Sequence, residues 1–235
     1  MLAIVDERIP QPAADGLCAR GWELVKLPPH PALPTPVSSH PDMLLFFAPD
    51  AIYTTGSYLQ IALPMLNQIA AAVGKPIRTV AGEVGGQYPS DILLNAAHVG
   101  KYLFCREAHT AAEILDCGYC PADVRQGYAK CSTLPIGDTA LITADPSIAN
   151  AARMRGLDVL QIAPGNVTLP GYDVGLIGGA ASCSLYRHTD EILFCGNPDL
   201  HPDADAIRGF CSRHGVCPVS LSSEPLYDVG TIFLI

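Results

Sequence analysis

The chain has 235 residues, 49% of them apolar and only 16% charged, with 23 acidic against 14 basic side chains and a formal net charge of −9. That composition excludes a disordered chain, and with no basic block it argues against a nucleic-acid or anionic-membrane surface. A single domain over residues 1–235 fits the length, and 21 glycines with 21 prolines imply short elements joined by tight turns.

In chain order, 1–5 reads as an apolar strand, 13–20 as a helix and 22–27 as a second strand. No basic stretch followed by an apolar one opens the chain, so no secretory leader is expected. The nine cysteines are odd in number and scattered, which fits reduced thiols in a cytoplasmic protein. The apolar run 69–73 stops at Gly74-Lys75-Pro76, far short of the roughly 20 residues a membrane span needs.

A proline followed within three residues by aspartate and an apolar stretch recurs at Pro41-Asp42, Pro89–Asp91, Pro170–Asp173 and Pro225–Asp228. With the hairpin 128–143 placed in the widest gap, the spacing divides the chain into five units of about 47 residues. Each unit reads as strand, strand, helix, strand. First strands are expected at 41–47, 89–94, 128–134, 170–177 and 228–235, and second strands at 51–55, 101–105, 139–143 and 191–195. Helices are expected at 110–115, 146–155 and 203–211, with third strands at 158–162 and 216–220. The strand 228–235 has no hairpin partner after it, and 1–5 supplies one. Both chain ends then close one unit and hide an apolar edge.

Five ββαβ units around an axis resemble the pentein fold of the guanidino-group-modifying enzymes, an α/β propeller with pseudo-fivefold symmetry, here closed by strands from both termini. The resemblance is carried by Tyr128-Ala-Lys-Cys-Ser132 running into Thr139-Ala-Leu-Ile-Thr143 and the helix at 146–155. It continues in Pro218-Val-Ser-Leu-Ser222 and Asp228-Val-Gly-Thr-Ile232. Gln126-Gly-Tyr-Ala-Lys-Cys131, Ile177-Gly-Gly-Ala180 and Asp228–Ile232 also resemble an uncharacterised bacterial family of that fold. The superfamily holds deiminases, dimethylargininases and amidinotransferases, and also noncatalytic ribosome-binding members.

The resemblance implies a cysteine nucleophile on the last first strand, a histidine on the first strand two units earlier, and paired carboxylates for a cationic substrate. Here 228–235 contains no cysteine, and Tyr128 stands nearest the histidine position. A phenol of pKa about 10 does not replace imidazole near neutral pH. Standard Cys/His chemistry is therefore not expected.

Three other residues are candidates for a displaced catalytic site: Cys131, whose neighbour Lys130 would favour a thiolate; Cys183, behind a glycine-rich approach; and His98, two units before Cys183. Their bland readings are a core thiol, a strand thiol and a turn residue. Asn95, Lys130, Gly178, Gly179, Asp91 and Asp228 are candidate ligand-binding residues. The two glycines would let a ligand approach the backbone, or let strands pack closely. Asp42, Asp91, Asp173 and Asp228 could ring one mouth and attract a cation, or bond turn backbone after proline.

Cys117-Gly-Tyr-Cys120 lacks the second pair of a zinc ribbon and the strand–helix setting of a redox motif. His201–Asp203 and His188–Asp190 read as solvated turns, and 82–86 lacks the spacing of a phosphate loop. No metal and no cofactor are expected. Three functions stand side by side: a non-canonical pentein binding a small amino-acid-, amidine- or guanidine-like metabolite at the axial mouth; a Cys-dependent amidino hydrolase or transferase; and a noncatalytic partner-binding module.

Overall fold

The computed structural model describes residues 1–186 and 189–235. Its helices and strands assemble into five small sheets with one recurring plan. Strands β1 (Leu2–Asp6) and β2 (Glu23–Leu27) pair in parallel around helix α1 (Gln11–Ala19). The helical turn α2 (Pro41–Leu44) leads into β3 (Phe46–Phe47), antiparallel to β4 (Ile52–Thr54). Helices α3 (Gly56–Ile61) and α4 (Leu63–Val73) then cross to β5 (Ile77–Thr79), parallel to β4.

The plan repeats in β6 (Ala97–Val99), β7 (Tyr102–Cys105), α5 (Ala112–Leu115) and β8 (Cys120–Asp123). It repeats again, after the turn α6 (Ala129–Ser132), in β9 (Leu134–Ile136), β10 (Ala140–Thr143), α7 (Pro146–Arg153) and β11 (Asp158–Gln161). The last stretch holds β12 (Ser182–Ser184), β13 (Glu191–Phe194), α8 (Ala204–Arg213), β14 (Cys217–Ser220) and β15 (Ile232–Leu234). Here β13 and β14 run parallel, and an isolated antiparallel bridge from Ala181 to Phe194 stands in for the inner pair.

The C-terminal strand β15 lies between β1, antiparallel, and β12, parallel, so both of its edges are paired. Every residue of β15 is buried, as the expected closure by both chain ends requires. Among the described residues no sheet closes into a barrel, and the sheets are two to four strands wide. Local chemistry sets the helix ends. Asp145 caps α7 through its carboxylate, which accepts from Ser147 N and Ile148 N, and Pro146 opens the first turn. Among the described residues no helix is long and apolar enough to cross a membrane.

The strands expected directly at the Pro/Asp markers are corrected by the structure. Residues 41–44 and 129–132 form single helical turns, and strands begin later, at Phe46, Ala97, Leu134, Ser182 and Ile232. Backbone hydrogen bonds close these turns, Leu45 N to the Pro41 carbonyl and Ser132 N to the Tyr128 carbonyl, and at Asp228 the carboxylate accepts from Gly230 N two residues on. The chain therefore turns before it extends. Leu45, Phe47 and Phe233 pack in one core with Ile4 and Val25, the Phe47 and Phe233 rings 4.9 Å apart. That core fixes the marker turns in place.

Candidate functional site

The marker turns bring polar groups from four parts of the chain into the interior. Asn95, 1% exposed, donates from Nδ2 to the Asp42 carbonyl at 3.0 Å and lies 3.1 Å from Cys131 Sγ. Its Oδ1 accepts from the backbone of Lys130 at 2.8 Å. The Lys130 side chain turns inward, 6% exposed, and donates to Thr231 Oγ1 at 3.0 Å. The Thr231 hydroxyl in turn faces two acceptors, Asp42 Oδ2 at 2.8 Å and the Gly178 carbonyl at 2.9 Å. Thr231 adopts φ of +69°, a conformation β-branched residues avoid, and one that recurs where a site holds strain.

A second chain of groups adjoins the first. His40 lies 3.8 Å from Asp228 through Nδ1 and 3.7 Å from Asp6 through Nε2, all three buried. Asp6 is also clasped by Arg8 at 2.8 Å. Tyr128 donates its hydroxyl to Asp91 Oδ2 at 2.6 Å, beneath the exposed Tyr88 ring 6.0 Å from its own. Among the described residues two carboxylate oxygens, Asp42 Oδ1 and Asp91 Oδ1, are buried with no hydrogen-bond partner, the Cys131 thiol lying beside the Asp42 carboxylate. An unpaired buried acceptor costs about 1–3 kcal/mol, so this end of the interior is poised for a donor.

Burial pushes the Asp228 carboxyl above its usual range, with His40 opposing and the Asp42 charge adding to the effect. Burial likewise drives the Cys131 thiol well up, reinforced by Asp42 and Asp228. The neighbouring Lys130 ammonium does not outweigh these. Cys131 is a buried thiol among carboxylates, the opposite of the electropositive, exposed setting a nucleophile needs.

Cys183 and His98 occupy the other end. They line a cavity of about 690 Å³ with Asp138, Ser182, Tyr186 and Glu191. They also border a pocket of about 10 Å³ walled by Phe47, Phe233 and Lys130. Burial and the Lys130 charge lower the His98 pKa to about 4, and its ring stacks on Tyr119 at 4.9 Å. Burial raises the Cys183 thiol in spite of Lys130. The candidates thus divide: Asn95, Lys130 and Cys131 share one buried network with Asp42 and Thr231, Asp228 lies beside it with His40, and Asp91 pairs with Tyr128, while Cys183 and His98 face the opposite cavity past Lys130.

The two glycines sit against the chain itself. A Cβ on Gly178 would stand 2.3 Å from the Thr133 carbonyl, and one on Gly179 would stand 2.0 Å from Asp228 Oδ1. That space is filled by protein, so close packing explains them. Of the four marker aspartates, Asp42, Asp91 and Asp228 are buried but Asp173 is exposed on a loop; the four do not form one ring. Thr231, His40 and Asp6 were not evident from the sequence, because no spacing or motif marks them.

Cys117 is half-buried and Cys120 exposed, both as free thiols. His201 is buried, its Nδ1 accepting from Asp203 N at 3.0 Å, which corrects the expected solvated turn. His188 of the other dyad lies outside the described residues. Among the described residues no cluster of three or more metal-ligating side chains occurs.

The architecture is shared with a solved protein. The chain is similar to a cysteine-to-serine mutant of DDAH from Pseudomonas aeruginosa, complexed with citrulline. The TM-score is 0.55 at 10% identity, over 94% of this chain and 92% of that one. At that identity the likeness is one of fold, and it makes this a DDAH-like, pentein-fold α/β protein. Residues 4–233 match the model of a family of unknown function (DUF6873), and the chain belongs to that family. No curated protein matches the sequence.

Proposed function

We propose that this protein is a five-unit pentein ring without the standard Cys/His pair. It binds a small cationic amino-acid-, amidine- or guanidine-like metabolite where the marker turns meet. The observation that carries this reading is the pair of orphaned oxygens, Asp42 Oδ1 and Asp91 Oδ1, in an interior that also holds Asp6 and Asp228. The interior holds four buried carboxyl groups, Asp6, Asp42, Asp91 and Asp228, against one buried ammonium, Lys130, with the half-exposed Arg8 on Asp6 and His40 between Asp6 and Asp228. Buried charge is stable only when paired. A planar amidinium or guanidinium offers several N–H donors in the geometry carboxylates accept best.

Asp91 is buried under the Tyr128 hydroxyl, so a ligand that reaches it displaces that hydrogen bond. With Cys131 held as a thiol, the site binds its ligand and does not attack it. The solved pentein with citrulline supports an amino-acid-like body on the ligand. Nine free thiols suit a reducing cytoplasm.

Thermal-shift measurements with agmatine, arginine, guanidine and citrulline test the reading. A cationic member of the set is expected to raise Tm, by about 5 °C at a hundredfold excess over Kd, and Asp91→Asn is expected to abolish the shift. Absence of any shift across the set overturns it.

A further inference from the structure

We propose that the opposite end of the interior is a second, separate site that takes a small zwitterion, an α-amino acid or close analogue. Its carboxylate oxygen would point toward Lys130 and its ammonium group would lie at an acidic rim. This goes beyond the cationic site of the marker turns. It rests on different groups and on a different ligand charge.

The argument starts from Lys130. An ammonium carries three donors and no acceptor; Thr231 Oγ1 takes one at 3.0 Å, and the Phe233 face lies 5.6 Å away. Lys130 also lines the 10 Å³ pocket together with Leu45, Phe47, Phe233, His98 and Cys183, a space for about one oxygen atom. Buried ammonium donors call for an acceptor; Leu45, Phe47 and Phe233 offer none, and among the described residues no hydrogen bond joins Lys130 to the His98 ring or to Cys183. One carboxylate oxygen fits the pocket by size and by charge.

The body of the ligand has room outside. The 10 Å³ pocket and the 690 Å³ cavity share His98 and Cys183 as lining residues. The larger volume is in the range of small-molecule sites. Its outer wall carries three exposed carboxylates, Asp138, Asp190 and Glu191, of which Glu191 is shared with Arg20 at 3.0 Å. An ammonium at the floor and carboxylates at the rim describe a zwitterion. A simple anion would meet the rim unfavourably, and a simple cation would leave Lys130 unanswered.

Thermal-shift titration with a panel of α-amino acids, each accompanied by its decarboxylated amine and its deaminated acid, tests this. At least one amino acid is expected to raise Tm by about 5 °C at a hundredfold excess over Kd, while neither of its halves does. The shift is expected to disappear in an Asp138→Asn/Glu191→Gln double variant, whose substitutions are on the surface. It is expected to persist in Asp91→Asn, which alters only the other end. Failure of every amino acid to shift Tm overturns the proposal. So does a shift that survives the double variant, or one lost in Asp91→Asn, which would assign it to the marker-turn site.

Discussion

The Thr231 hydroxyl reaches Asp42 Oδ2 across 2.8 Å, although 189 residues separate the two in sequence. The same oxygen accepts from Lys130 Nζ at 3.0 Å. One hydroxyl therefore connects the buried ammonium to the buried carboxylate. Thr231→Val keeps the shape of the side chain and removes the connection, leaving both charged groups without a partner. The expected cost is about 3 kcal/mol in denaturant unfolding. Thr231→Ser, which keeps the hydroxyl, should recover most of it. Equal losses in the two variants would show that shape, not the hydrogen bond, matters at this position.

Gly179→Ala checks whether that backbone is packed against protein or open to a ligand. The added methyl would meet Asp228 Oδ1 at 2.0 Å. The variant is expected to lose at least about 3 kcal/mol of stability or to fail to fold. The matched Gly209→Ala, whose methyl meets nothing within 4 Å, should be neutral or stabilising. A stable Gly179→Ala protein would mean the close approach is absent in solution.

Acid should weaken the fold through His98. Its pKa falls from the ordinary 6.5 to about 4 in the folded protein, from burial first and the Lys130 charge second. The neutral ring is favoured in the fold, so this contribution is complete above pH 6.5. It is lost as pH falls toward 4, because the unfolded chain takes up the proton first. The loss should reach about 2 kcal/mol after allowance for solvent near the partly exposed ring. Urea titrations between pH 7 and 4 read it directly, and His98→Gln should flatten that slope.

Alkali should weaken the fold through its buried thiols. Burial raises Cys105 and Cys211 to about 11 and Cys195 to about 12, against an ordinary value of 9.0. Folded thiols keep their protons where unfolded thiols lose them, so stability falls as pH rises above 9. Each such thiol adds about 1.4 kcal/mol per pH unit to the slope. Cys195→Ala should lessen the steepness of that decline between pH 9 and 11.

How much of this was legible in the sequence depended on the kind of signal. The closing of one sheet by both chain ends was readable because 1–5 and 231–235 are apolar runs that would be costly to leave at an open edge. The marker turns look like strands in the sequence because 41–47 and 128–134 are short runs rich in β-forming and apolar residues around Asp42 and Lys130. Periodicity alone does not separate one helical turn from an extended segment in such short runs. Asn95, Lys130 and Cys131 could be picked out as polar or reactive residues near strand starts, but their hydrogen bonds join different units. Thr231 gave no signal at all, being one more β-former in an apolar run. His40 and Asp6 became visible only when the fold placed them beside Asp228.

On the proposed function, the buried carboxylates of the marker turns take a cationic ligand. Calorimetric titration of agmatine into the wild-type protein and into an Asp42→Asn/Asp91→Asn variant tests it most directly. The account predicts saturable one-to-one binding by the wild type. It also predicts affinity weaker by at least about a hundredfold in the variant, roughly 2.7 kcal/mol. No heat of binding in the wild type, or an affinity unchanged by the two substitutions, would contradict it.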